Sequence, residues 1–83
     1  MDRYEASSLI NKPVVTDKGR KLGDVADLQF EEKSGEVLNI ILKNPTENAE
    51  RLGLEKTKDG FLVPFVAVKA IGDYIVVSEE DLV

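Results

Sequence analysis

The sequence predicts a mainly β fold: a small, highly bent β-barrel of five to six short strands with one short helix near residues 45–52. Three observations lead there. Turn-forming clusters recur at fairly even spacing: Asp17-Lys18-Gly19-Arg20, Lys33-Ser34-Gly35-Glu36, Thr57-Lys58-Asp59-Gly60 and Gly72-Asp73. The segments between them are short and rich in Val, Ile, Leu and Phe. The stretch from Phe61 to Val77 is apolar on both faces, whereas a sheet with one wet side alternates. An 83-residue chain has one small core, so either a tight barrel hides both faces or one face is kept for a partner.

Taken in order, Ser7 or Ser8 is a candidate cap for a single helical turn at Ser7-Ser8-Leu9-Ile10. Pro13 to Thr16 is a first strand, with Pro13 at its start, where a missing N–H is tolerated. Lys21 to Glu31 is a second strand. Strict alternation puts Leu22, Asp24, Ala26, Leu28 and Phe30 on one face and Lys21, Gly23, Val25, Asp27 and Gln29 on the other. Gly23 inside it suggests a bulge or a bend. Val37 to Lys43 is a third strand, with Leu38, Ile40 and Leu42 on one face. The three form a meander with short turns.

At Asn44-Pro45-Thr46-Glu47 the pattern changes. Asn44 is the expected N-cap, Pro45 the first helical residue and Glu47 the capping-box partner, with the helix running to about Leu52. Gly53 then takes the left-handed position that ends it, and Leu54 folds back on Ala49. Phe61 to Ile71 is one bent strand or two strands broken near Pro64, and Tyr74 to Val77 is the last strand. Residues 78–83 form an acidic tail, whose order the sequence leaves open.

Composition narrows the function. The chain has 42% hydrophobic and 33% charged residues, the balance of a folded globular domain. Its net charge of -5 argues against nucleic acid and anionic membranes, both of which need a basic face. The small basic clusters Lys18, Arg20, Lys21 and Lys56, Lys58 keep an RNA-associated role as an alternative. No signal peptide or spanning segment is expected, and the absence of cysteine suits a cytoplasmic location.

His and Cys are both missing, which removes the usual general acid–base, the usual thiol nucleophile and the usual zinc ligands. Asp24 and Asp27 fall on opposite faces of their strand, Glu31-Glu32 lies in a turn, and no EF-hand or phosphate-loop spacing occurs. The expectation is a protein with no catalytic residues, no cofactor and no metal. A carrier with a ligand in the barrel mouth is a further alternative, although so few strands enclose little room.

Three motifs then occur in a fixed order: Leu22-Gly23-Asp24-Val25-Ala26-Asp27, Ser34-Gly35-Glu36-Val37, and Leu62-Val63-Pro64-Phe65-Val66-Ala67-Val68-Lys69-Ala70-Ile71-Gly72-Asp73. Together, over roughly Leu9 to Val77, they resemble the PRC-barrel family, named for the cytoplasmic domain of the photosynthetic reaction-centre H subunit. The resemblance is greatest to archaeal single-domain members. It implies one PRC-barrel-like domain over residues 1–83 and a binding module rather than an enzyme. Relatives include a domain fused to a ribosome-maturation factor. Some archaeal members are similar to adaptors of the FtsZ-based division ring that bind the membrane anchor SepF. The implied partners are a second copy and a SepF-like protein, with no direct membrane insertion.

The partner surface follows from alternation about a two-residue Gly72-Asp73 turn that pairs Ile71 with Tyr74. Leu62, Pro64, Val66, Val68, Ala70, Ile75 and Val77 then form the core face. Phe61, Val63, Phe65, Ile71, Tyr74 and Val76 are assigned to the interface, where aromatic rings not needed inside are favoured; the alternative is a tight barrel in which a bulge near Pro64 shifts the alternation and both sets are internal.

Overall fold

The computed structural model describes residues 6–82; Met1–Glu5 and Val83 lie outside them. A helical turn, α1 (Ala6–Leu9), leads into β1 (Pro13–Thr16), β2 (Lys21–Phe30) and β3 (Val37–Lys43). Helix α2 (Glu47–Arg51) precedes β4 (Lys56–Thr57) and β5 (Gly60–Pro64). A 3-10 turn (Phe65–Ala67) then gives way to β6 (Val68–Ile71), β7 (Ile75–Val77) and a second 3-10 turn (Glu79–Leu82). The seven strands form one mixed sheet in the order β4-β5-β3-β2-β1-β7-β6. All neighbours are antiparallel except β1 and β7, which run parallel.

The hydrogen-bonded sheet is not closed, yet it wraps one core. Val14, Leu22, Val25, Leu28, Ile40, Leu42, Phe61, Val63, Ile75 and Val77 come from the strands, and Leu9, Ala49, Leu54, Ala67 and Leu82 close it from the helical turns and loops. The chain crosses from the Pro64 end of β5 to the edge strand β6 in the three residues Phe65–Ala67. At about 2 Å rise per residue, that connection holds the Pro64 end of β5, which lies beyond the reach of the two-residue β4, close to the edge strand β6. The second 3-10 turn packs beside the first, and Ser78 N donates to the Ala67 carbonyl at 2.8 Å. The acidic 78–82 stretch is therefore ordered, with Ser78, Glu79 and Leu82 buried.

Strand β2 departs from strict alternation. Its buried side chains are Leu22, Val25 and Leu28, three residues apart. Two bulges cause this. Val14 opposes Gly23 and Val15 opposes Lys21, which leaves Leu22 extra. Val25 opposes Leu42 and Asp27 opposes Ile41, which leaves Ala26 extra. Each bulge slips the pleat by one residue and bends the strand. At Gly23 a Cβ would sit 2.9 Å from the Lys43 carbonyl oxygen, so the bend needs glycine where β2 and β3 approach.

Helix α2 also starts differently. Thr46, not Asn44, is the N-cap: its hydroxyl accepts the Asn48 N–H at 3.2 Å and donates to the Lys21 carbonyl. Asn44 instead takes φ 50°, a left-handed turn that ends β3. At the other end Gly53 N bonds Glu50 O and Leu54 N bonds Ala49 O, a Schellman termination with Gly53 at φ 72°. Ser7 and Ser8 lie inside α1, so neither caps it from outside.

Candidate interaction surface

The last hairpin is where alternation was expected to separate interface from core. Strand β5 presents the reverse face: Phe61 and Val63 are buried, while Leu62 and Pro64 are half-buried on the outside. The physical reason is the 3-10 turn at Phe65–Ala67. Residues in such a turn do not alternate by 180°, so counting back from Gly72 through it inverts the parity of β5. Val66, expected inside, is 87% exposed, and Ala70 is exposed. The turn differs as well, because Ile71 pairs with Ile75 rather than Tyr74. Tyr74 belongs to the loop, with its carbonyl accepting the Gly72 N–H at 2.9 Å.

Of the six residues proposed from sequence, Phe61 and Val63 thus belong to the core. Phe65 and Ile71 are half-buried and pack against it. Val76 is half-buried on the outer face, between the buried Ile75 and Val77, and Tyr74 is 56% exposed. Register extends the outer surface. Val76 lies opposite Val15 on β1 and opposite Ala70 on β6, so Val15, Val76 and Ala70 form an apolar strip across three strands, with Tyr74 in the loop that joins two of them.

A second exposed apolar group escaped the sequence reading. Phe30 is 47% exposed and Leu38 45%, both near the tip of the β2–β3 hairpin. The interior pattern of β2 and β3 runs into them without a break, so periodicity alone marks them as core. The signal that separates them is length. The ten residues of β2 outrun the four of β1, and β5 pairs with β3 only from Asn39 to Leu42. Among the described residues no third strand flanks the tip on either side.

Electrostatics around the first turn absorb most of its basic character. Arg20 Nη1 donates to Oε1 of the buried Glu79 at 2.8 Å, and Lys21 pairs with Asp24 at 3.3 Å. Thr16 Oγ1 donates to Glu79 Oε2 at 2.6 Å. Lys69 stands 3.7 Å from Asp17. The Glu79 backbone N–H donates to Asp17 and, with the nearby Lys69 charge, holds its carboxyl below the ordinary aspartate range. The Ser34 and Lys33 N–H groups hold Glu31 below the ordinary glutamate range. With Arg20 and Lys21 already paired, this turn has little left to offer a phosphate backbone.

An open groove of about 220 Å3 is lined by Asn39, Gly53, Leu54, Glu55, Leu62, Pro64 and Leu82. Sites that engulf a drug-sized ligand run to about 300–1,000 Å3. Among the described residues no group of three or more acidic side chains converges as a metal site would require, and no helix is long and apolar enough to cross a membrane. What the outer surface offers is apolar contact area, at the strip Val15, Val76 and Ala70 and at Phe30 and Leu38.

The sequence model of the PRC-barrel domain family matches residues 1–83. The chain is also similar to an uncharacterized protein of the archaeon Methanocaldococcus jannaschii, 29% identical over 82 residues. The match covers 99% of this chain and 89% of that protein, which is therefore little longer than the domain itself.

Proposed function

Because the chain belongs to the PRC-barrel domain family, we propose that it is a non-catalytic protein–protein interaction module that self-associates and serves as an adaptor. Its sequence resemblance to archaeal division-ring adaptors makes a SepF-like membrane anchor the partner of choice. The observation that carries the reading is the apolar strip Val15, Val76 and Ala70 with Tyr74 beside it, on the face away from a core that is already filled. Tyrosine in such a position provides large contact area with a polar tip, as interface centres do. A two-fold contact through this strip would complete a dimer.

Sedimentation equilibrium tests self-association, with Val76→Asp and Tyr74→Ala as variants. A dimer is expected for the native chain and a monomer for Val76→Asp at unchanged helix and sheet content. Calorimetric titration with a SepF-like protein tests the adaptor role. A monomer at every concentration, together with no heat on titration, overturns the reading.

A further inference from the structure

We propose that the tip of the β2–β3 hairpin is a second docking surface, which takes an apolar segment flanked by lysine or arginine from a partner protein. This rests on the reading of the chain as an interaction module, and extends it from one surface to two.

The apolar part is set by register. Gln29 opposes Asn39, and Phe30 opposes Val37, so Leu38 is an extra residue and β3 bulges there. At a bulge two residues face one, which brings Val37 and Leu38 together opposite Phe30. Val37 packs against the core, while Phe30 and Leu38 run on past its edge into water. The 3-10 turn bearing Val66 lies against the same strand. Among the described residues, three of the four large hydrophobic side chains that are exposed, Phe30, Leu38 and Val66, thus belong to this end of the molecule. Unpaired apolar side chains gathered beyond a completed core mark a contact surface more than a packing defect.

The charge beside it selects the occupant. The connecting loop carries Glu31, Glu32 and Glu36 against the single cation Lys33. It is held in shape: Glu31 N donates to the Glu36 carbonyl at 2.8 Å, Gly35 N donates to the Glu31 carbonyl at 2.9 Å, and the Glu31 carboxylate accepts two further N–H groups. The negative rim is therefore preorganised. A second copy docking tip to tip would bring two such rims together on chains of net charge -5, which like-charge repulsion disfavours. A segment with apolar side chains for Phe30, Leu38 and Val66 and cations for Glu32 and Glu36 is complementary on both counts.

The test uses two labelled peptides with one leucine-rich apolar centre, one flanked by lysines and one by glutamates. Amide shifts of the folded full chain are followed by NMR and affinities by fluorescence anisotropy. The lysine-flanked peptide is expected to move the Phe30, Leu38 and Val66 amides. Its affinity should fall at least tenfold in Leu38→Asp and in the Glu32→Lys/Glu36→Lys variant, and weaken with added salt. The glutamate-flanked peptide should leave the tip unmoved. Equal binding of both peptides, shifts that avoid the tip, or concentration-dependent tip shifts without any peptide would each overturn the proposal, the last by making a second copy the occupant. Loss of the tip effects while Val76→Asp still dissociates the dimer separates failure of this inference from failure of the module reading.

Discussion

Arg20 reaches Glu79 across 59 residues of sequence, and the carboxylate it meets is only 7% exposed. The same carboxylate takes the Thr16 hydroxyl, whose oxygen in turn accepts the N–H groups of Lys18 and Arg20. One polar cluster thus ties the β1–β2 turn to the 3-10 turn Glu79–Leu82 that covers the core. Removing Arg20 leaves a buried charge with one side-chain partner. Arg20→Ala should cost about 1–2 kcal/mol, the half-exposed arginine keeping the figure modest. For a domain this small that is a melting shift of about 4–8 °C per kcal/mol. In a double-mutant cycle with Glu79→Gln, the paired change should cost less than the sum of the two single ones. Strict additivity would show that the two groups do not depend on each other.

Phe61 and Tyr74 should separate sharply under substitution. Phe61 is in the core, with Lys56 Nζ 5.4 Å from its ring centre, so Phe61→Ala should lose about 3–5 kcal/mol. Tyr74→Ala, measured where the chain is monomeric, should change stability by about 0.5 kcal/mol or less. Similar losses in chemical denaturation would restore the face assignment expected from sequence.

Gly60 has φ 136°, and a Cβ there would lie 2.3 Å from the Leu42 carbonyl oxygen. Gly60→Ala should therefore displace β5 from β3 and cost more than about 2 kcal/mol. Gly72, with open space around its Cβ position, is the control. Gly72→Ala should fall within about 0.5 kcal/mol of the native chain. Thermal melts of the two variants side by side decide the matter.

The start of α2 gives a third contrast. Thr46→Ala removes the cap for Asn48 and a bond to Lys21, and should cost about 1 kcal/mol. Asn44→Gly should be tolerated, because the left-handed backbone at Asn44 suits glycine. If Asn44→Gly proved the costlier change, Asn44 would be the cap after all.

Acid should weaken the fold through Asp17 and Glu31. Both carboxyls are held below their ordinary values in the folded chain by N–H donors, and Asp17 also by Lys69. Below pH of about 4 to 4.5 the unfolded chain takes up these protons first. Their contribution is complete above that range and is lost as pH falls through the lower folded values. Asp17→Asn should flatten this part of the stability–pH curve. An unchanged curve would remove Asp17 from the acid response.

The order of elements along the chain, the turn glycines, the Schellman end of α2 and the break near Pro64 were readable from local chemistry, but the two-residue β4 (Lys56–Thr57), the seventh strand where five to six were expected, was not, because only its pairing with β5 makes it a strand. Each readable feature depends on residues within a few positions of one another: Gly53 beside Leu52, Pro64 before a turn, Gly19 within four polar residues. Which side of each strand faces inward was not readable. Parity is reset along β2 at Leu22, by pairing with β1, and at Ala26, by pairing with β3, and along β5–β6 by the 3-10 turn Phe65–Ala67, so the periodicity of a single strand does not record the slips. Thr46 outcompeted Asn44 as a cap because Lys21, from another strand, offered it a second bond. The exposure of Phe30 and Leu38 follows from the unequal lengths of β1, β2 and β5. Periodicity records only that a side chain is apolar; the assembled sheet determines whether anything lies above it to exclude water.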